Sequence, residues 1–145
     1  MRKLSLITFT CTFLVACLSA QDEGFYDPDL NQIVIEVKDA VVLEDTERLM
    51  RYVSPDGTDF IDNHYTYDEI DALMKDKDGW LYKEHLDLAR FFFDGSTDLE
   101  IEMKHMGPAH GGVWVRYSSQ ERGWLECCFY KKDGKWYFAG IFSCD

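Results

Sequence analysis

The tightest constraint in this chain is the dipeptide Asp133-Gly134, which lies between two runs that read as strands, Trp124–Tyr130 and Lys135–Phe142. A two-residue loop of this composition favours a type I′ turn, whose twist matches that of the strands it joins. The loop fixes a register in which Phe129 falls opposite Phe138 and Tyr130 opposite Tyr137. One face of the hairpin then reads Leu125, Cys127, Phe129, Trp136, Phe138 and Phe142. It carries no charge and is expected to be the core face. The other reads Trp124, Glu126, Cys128, Tyr130, Tyr137, Ala139 and Ile141. A further strand, Val113–Tyr117, brings Val113, Val115 and Tyr117 to the core face only if the 118–122 connection is odd in length or bulged, because a one-residue slip exchanges the faces. Consistent burial selects that option. It leaves Trp114, Arg116, Glu126, Tyr130 and Tyr137 on the outer face as a candidate interaction surface, with Ile141 beside them.

Upstream, Leu99, Ile101, Met103 and His105 alternate with Glu100, Glu102 and Lys104, the pattern of a half-buried strand. Before Leu99 the period is helical. Asp27-Pro28 suits a helix start, and Leu30, Ile33, Val34, Val37 and Val41 follow on one stripe. A short second helix begins after Asp45. Thr66-Tyr67-Asp68-Glu69 has the capping-box form and opens a helix carrying Ile70, Leu73 and Met74. Trp80 to Phe93 resumes the period through Leu81, His85, Leu88 and Phe92. Helices first and an antiparallel meander after them make an α+β domain. Composition agrees: 46% hydrophobic and 15% aromatic residues can fill a core, and 145 residues are one domain's worth.

The first twenty residues lie outside that domain. Met1-Arg2-Lys3 precedes an uncharged run from Leu4 to Val15, too short to span a bilayer and of the right length for a signal-peptide core. Leu14-Val15-Ala16-Cys17 resembles a bacterial lipobox, which would leave Cys17 as a lipid-modified N-terminus. Cleavage before Gln21 would instead release a periplasmic or secreted protein. Residues 1–20 are read as a signal segment, 21–29 as a tether and 30–145 as the domain. An exported protein of the bacterial cell envelope is expected, held to the membrane only through an N-terminal lipid. The net charge of −12 argues against nucleic-acid binding, which needs a basic stripe.

Two segments resemble a known family. Val41-Val42-Leu43-Glu44-Asp45-Thr46-Glu47-Arg48-Leu49-Met50-Arg51-Tyr52-Val53-Ser54 is similar to the joint between the first two helices of nuclear transport factor 2-like domains. Lys132-Asp133-Gly134-Lys135-Trp136-Tyr137 is similar to the hairpin that closes many of them, and the order of elements matches over roughly residues 30–142. The resemblance implies a cystatin-like cone: N-terminal helices wrapped by a curved antiparallel sheet. It also implies an interior pocket and, in some members, dimers through the outer sheet face. Enzymes of that group place an Asp or a His–Asp pair inside the cone. Asp59, Asp62 and His64 before the middle helix, and His105 on the inward phase of its strand, are the acid–base candidates here. Turn, capping and rim duties explain the same residues.

Met103, His105, Met106 and His110 mix thioether and imidazole donors of a kind that suits Cu(I), though not at a recognised ligand spacing. A calcium loop around Gly79 fails, because its first and twelfth positions would be Met74 and His85. Cys127 and Cys128 point to opposite faces, and Cys144 falls opposite about residue 123. That offset is about 13 Å along a strand from Cys127, too far for a disulfide. No cofactor signature is present. The sequence reads as a binding domain that meets a small apolar ligand, a second copy or another protein. The rival is a pocket enzyme of isomerase or hydratase type.

Overall fold

The computed structural model describes residues 27–60, 63–94, 98–105 and 111–144. Helix α1 spans Pro28–Val42 and buries Leu30, Val34, Val37, Ala40 and Val41, one 3.6-residue stripe. Asp27 caps it, its Oδ1 accepting from the amides of Asp29 (3.0 Å) and Leu30 (3.3 Å). The last residues of the expected tether are therefore already helical. Glu44, in the left-handed conformation at φ 55°, turns the chain into α2, Thr46–Met50, which Asp45 caps. Arg48 pairs back to Glu36 and holds its carboxyl below the usual range, joining α2 to α1.

Strands β1 (Thr58–Phe60) and β2 (Asn63–Tyr65) form a short antiparallel hairpin. Helix α3, Tyr67–Lys75, opens on the complete Thr66/Glu69 capping box. The next helix departs from the expected stripe. A π-helical turn at Tyr82–Leu86 runs into α4, Asp87–Asp94. The buried set becomes Leu81, Tyr82, Leu86, Ala89, Phe92 and Phe93, while His85 and Leu88 sit half-buried. In a regular helix Leu81 and Leu86, five residues apart, would diverge by about 140°. One π turn absorbs a residue and brings both inward.

The main sheet runs β3 (Glu100–His105), β4 (Gly112–Ser119), β5 (Gly123–Lys132) and β6 (Lys135–Cys144), antiparallel in that order. Asp133 and Gly134 both have positive φ, 51° and 78°, as a type I′ turn requires. Phe129 pairs with Phe138 and Tyr130 with Tyr137, the expected register. The β4–β5 connection is odd, with Ser119 opposite Gly123, so Val113, Val115 and Tyr117 share a face with Phe129, Cys127 and Leu125. All six are buried.

One expectation fails. Cys128 pairs with Gly140 although Phe129 pairs with Phe138, so Ala139 is an extra residue and β6 bulges there. Beyond the bulge the faces exchange. Ile141 sits opposite Cys127 and is 2% exposed, inside the core rather than on the outer face, and Phe142 takes the register position opposite Glu126.

Asp27 ties the helices to the sheet. Its Oδ2 accepts from Trp136 Nε1 (2.8 Å) and Lys131 Nζ (2.9 Å), and these bonds, Trp136 first, hold its pKa down at about 2. A folded-state pKa below the ordinary 3.8 stabilises the fold above that value, and the contribution is lost as pH falls from about 4 toward 2. Asp27→Ala is expected to lower stability by about 1–2 kcal/mol at pH 7, with its urea midpoint approaching the wild type's as pH falls from about 4 toward 2. A constant difference across that range would assign the effect to packing instead.

Candidate functional site

The concave side of the sheet is filled. Tyr117 meets Phe93 edge-on at 4.9 Å, Phe129 lies against Phe138 at 5.8 Å, and α1 and α4 close over them. Burial pushes the Tyr117 hydroxyl and the Cys127 thiol well above their ordinary pKa values. What remains is an apolar cavity of about 30 Å³ beside Trp80, Tyr65, Met74, His85 and Ile141. That is room for one or two waters. His85, which sequence reasoning placed only on a helical stripe, is the imidazole lining it. Its Nδ1 donates to the Ile141 carbonyl at 2.9 Å, and Trp80 packs edge-on at 5.6 Å. The π turn presents His85 and the β-bulge presents that carbonyl. Neither irregularity leaves a mark in hydrophobic periodicity.

The expected acid–base residues that the structure describes, Asp59, His64 and His105, do not meet inside the cone. His64 is on the outside, its Nδ1 2.8 Å from Asp59 Oδ1 and its Nε2 3.1 Å from the Asp56 carbonyl. Both ring nitrogens thus face acceptors within the protein. Asp62 lies outside the described residues. His105 shares a face with Val113, as its phase predicts, but it is exposed. Met103 is half-buried on the same strand, while Met106 and His110 lie outside the described residues, as does Cys17. Among the described residues no three His, Cys, Asp or Glu side chains converge as metal ligands. Cys127 and Cys128 are free thiols, and the backbone of Cys144 pairs with that of Trp124.

The outer face gathers the expected residues. Arg116 and Glu126 are direct cross-strand partners, with Nη2 2.6 Å from Oε1, and the guanidinium lies 4.6 Å over the Trp124 ring. Tyr130 and Tyr137 pair at 5.8 Å, and Trp114 sits opposite Cys128; all three aromatic side chains are half-buried. The Ser54–Gly57 turn borders this face. Tyr130 donates to the Gly57 carbonyl at 3.4 Å and Lys132 pairs with Asp56, whose carboxyl it holds low. Between turn and sheet runs an open groove of about 600 Å³, with Trp114, Tyr130 and Cys128 on one side and Asp59 and His64 on the other.

No protein-family model and no curated protein matches the chain. Among solved structures it is similar to a de novo designed protein with a curved β-sheet: 13% identity, TM-score 0.40, covering 77% of this chain and 92% of that one. It is also similar to an uncharacterized protein with a cystatin-like fold from Caulobacter vibrioides: 15% identity, TM-score 0.38, covering 79% and 88%. A third is a protein named Rd1NTF2: 16% identity, TM-score 0.38, covering 77% and 93%. The architecture here is α+β, with helices packed on a four-stranded antiparallel sheet.

The Arg116–Glu126 pair predicts a measurable coupling. A double-mutant cycle with Arg116→Ala and Glu126→Ala should return about 0.5–1 kcal/mol, falling in high salt. A coupling near zero would mean the pair is held by its aromatic neighbours rather than by charge.

Proposed function

We propose that this chain is an exported, lipid-anchored interaction domain that holds a partner protein on the outer face of its sheet. The observation that carries this reading is the contrast between the two sides. The concave side is packed with Tyr117, Phe129, Phe93 and Phe138, while the outer side offers Trp114, Tyr130 and Tyr137 around one central ion pair. Half-exposed aromatics grouped on one face are what protein contacts use.

Charge supports the same surface. Residues 21–102 hold 23 acids against 7 bases, whereas residues 103–145, which supply β4, β5 and β6, hold 4 acids against 6 bases. An approaching protein meets strong negative charge on the helical part and near-balance on the sheet. The partner surface that fits is apolar at its centre and weakly charged. Acylation at Cys17 would leave residues 18–26 as a tether of at most about 30 Å. It joins the domain at Asp27, beside the β5–β6 hairpin, and keeps the domain close to the membrane.

Two measurements test this. Mass spectrometry of the native protein should find diacylated Cys17, and Cys17→Ala should leave an unprocessed precursor; a mature N-terminus at Gln21 would overturn the anchor. A photocrosslinking residue at Tyr137 should form a defined adduct in intact cells, abolished by Trp114→Glu, while the same probe at Asp68 on α3 should not. Equal crosslinking at both positions would overturn the interaction face.

A further inference from the structure

Strand β3 is an edge of the main sheet: among the described residues it pairs with β4 on one side only. Such an edge presents a row of backbone donors and acceptors, and its side chains decide what can add to it. Here the outer-face residues are Glu100, Glu102 and Lys104, and the inner-face residues are Ile101, Met103 and His105. Ile101 is 56% exposed although it shares a face with Tyr117 of the core.

We propose that β3 is self-complementary, so that two copies of this chain pair β3 to β3, antiparallel, into one eight-stranded sheet. The charges select the register. With the two-fold axis at Met103, Glu102 of each copy stands opposite Lys104 of the other, giving two ion pairs on the outer face. Ile101 stands opposite His105 of the second copy on the inner face. A shift of two residues one way sets Glu102 against Glu102 at the axis, which offsets part of the gain from the two Glu100–Lys104 pairs it makes, and the other way sets Lys104 against Lys104 with no ion pair. Like charges directly opposite are destabilising. A slip of one residue turns the second copy over and mixes inner with outer side chains. The alternation on this strand thus selects one arrangement and disfavours its neighbours.

Within one chain Glu102 and Lys104 approach to 3.1 Å with both side chains about half-exposed, so each can turn toward the added strand. The two-fold axis stands perpendicular to the sheet, so the outer faces of both copies lie on one side. Glu102 and Lys104 stand beside Arg116 and Trp114 of β4, whereas Tyr137 of the outer face lies on β6, at the opposite edge of the sheet, so a change there separates the edge pairing from that face. Six residues make a short contact, below the area of tight complexes, so an affinity in about the micromolar range is expected.

Sedimentation equilibrium of the processed protein tests it, with circular dichroism confirming that each variant is folded. The wild type should show a monomer–dimer equilibrium. Glu102→Lys or Lys104→Glu alone should weaken it at least tenfold. The double reversal should restore it to within about threefold, and Tyr137→Glu, three strands away on β6, should leave it unchanged. A wild type that stays monomeric at about 1 mM would overturn the proposal. So would single reversals without effect, or a double reversal that fails to restore association. Loss of the dimer in Tyr137→Glu alone would place self-association on the outer face and overturn the edge pairing.

Discussion

The Asp27 carboxylate joins parts of the chain that are more than a hundred residues apart. One oxygen caps α1, and the other takes hydrogen bonds from Lys131 and Trp136 across the β5–β6 hairpin. The first helix cannot slide along the sheet without breaking those bonds. That matters because α1 alone supplies five buried side chains to the core. The hairpin in turn is held by the Asp133-Gly134 turn, so the position of α1 is referred to the most rigidly specified feature of the sheet. Side chain, cap and turn chemistry converge on one carboxylate.

Most of this architecture was legible in local chemistry. Asp27 and Asp45 cap helices, Thr66 and Glu69 form their box, and the odd β4–β5 connection places Val113, Val115 and Tyr117 with the core. What escaped were two insertions of a single residue. The π turn at Tyr82–Leu86 and the bulge at Ala139 each leave the composition of their segments ordinary. Each shifts the phase of the residues downstream of it, so Leu86 replaces His85 on the buried stripe and Ile141 moves into the core. Periodicity read within one segment assumes a constant phase. Only the packing partner across the core determines where a residue must be looped out.

Those two insertions meet. The π turn carries Leu81, His85 and Leu86 to the same small cavity that Ala139, Gly140 and Ile141 line from the sheet. Each irregularity alone costs backbone regularity, and together they let a helix and a bent strand fit with only about 30 Å³ left empty. The His85 to Ile141 hydrogen bond spans the junction and satisfies a carbonyl close to the bulge. A site expected from family resemblance to be an open pocket is therefore occupied by the protein's own side chains.

A filled interior moves the question of function to the surface, where a different balance applies. On the reading proposed here, each exposed strand surface must attract its own partner without making the chain sticky toward every other. On the outer face this is met by placing the Arg116–Glu126 pair amid Trp114, Trp124 and Tyr130. A partner that covers the pair must either leave it intact or supply its own polar groups, because a buried charge without a counter-charge is costly. Strand β3 achieves selectivity in another way. Its apolar Ile101 lies between Glu100 and Glu102, which repel any strand that brings acids opposite them. In both places aromatic or aliphatic area supplies attraction, and a fixed charge pattern restricts what the area accepts. The 23 acids of residues 21–102 keep the rest of the surface strongly negative although Ile35, Leu43 and Phe91 are exposed there, so charge rather than a lack of apolar area sets it apart from the sheet.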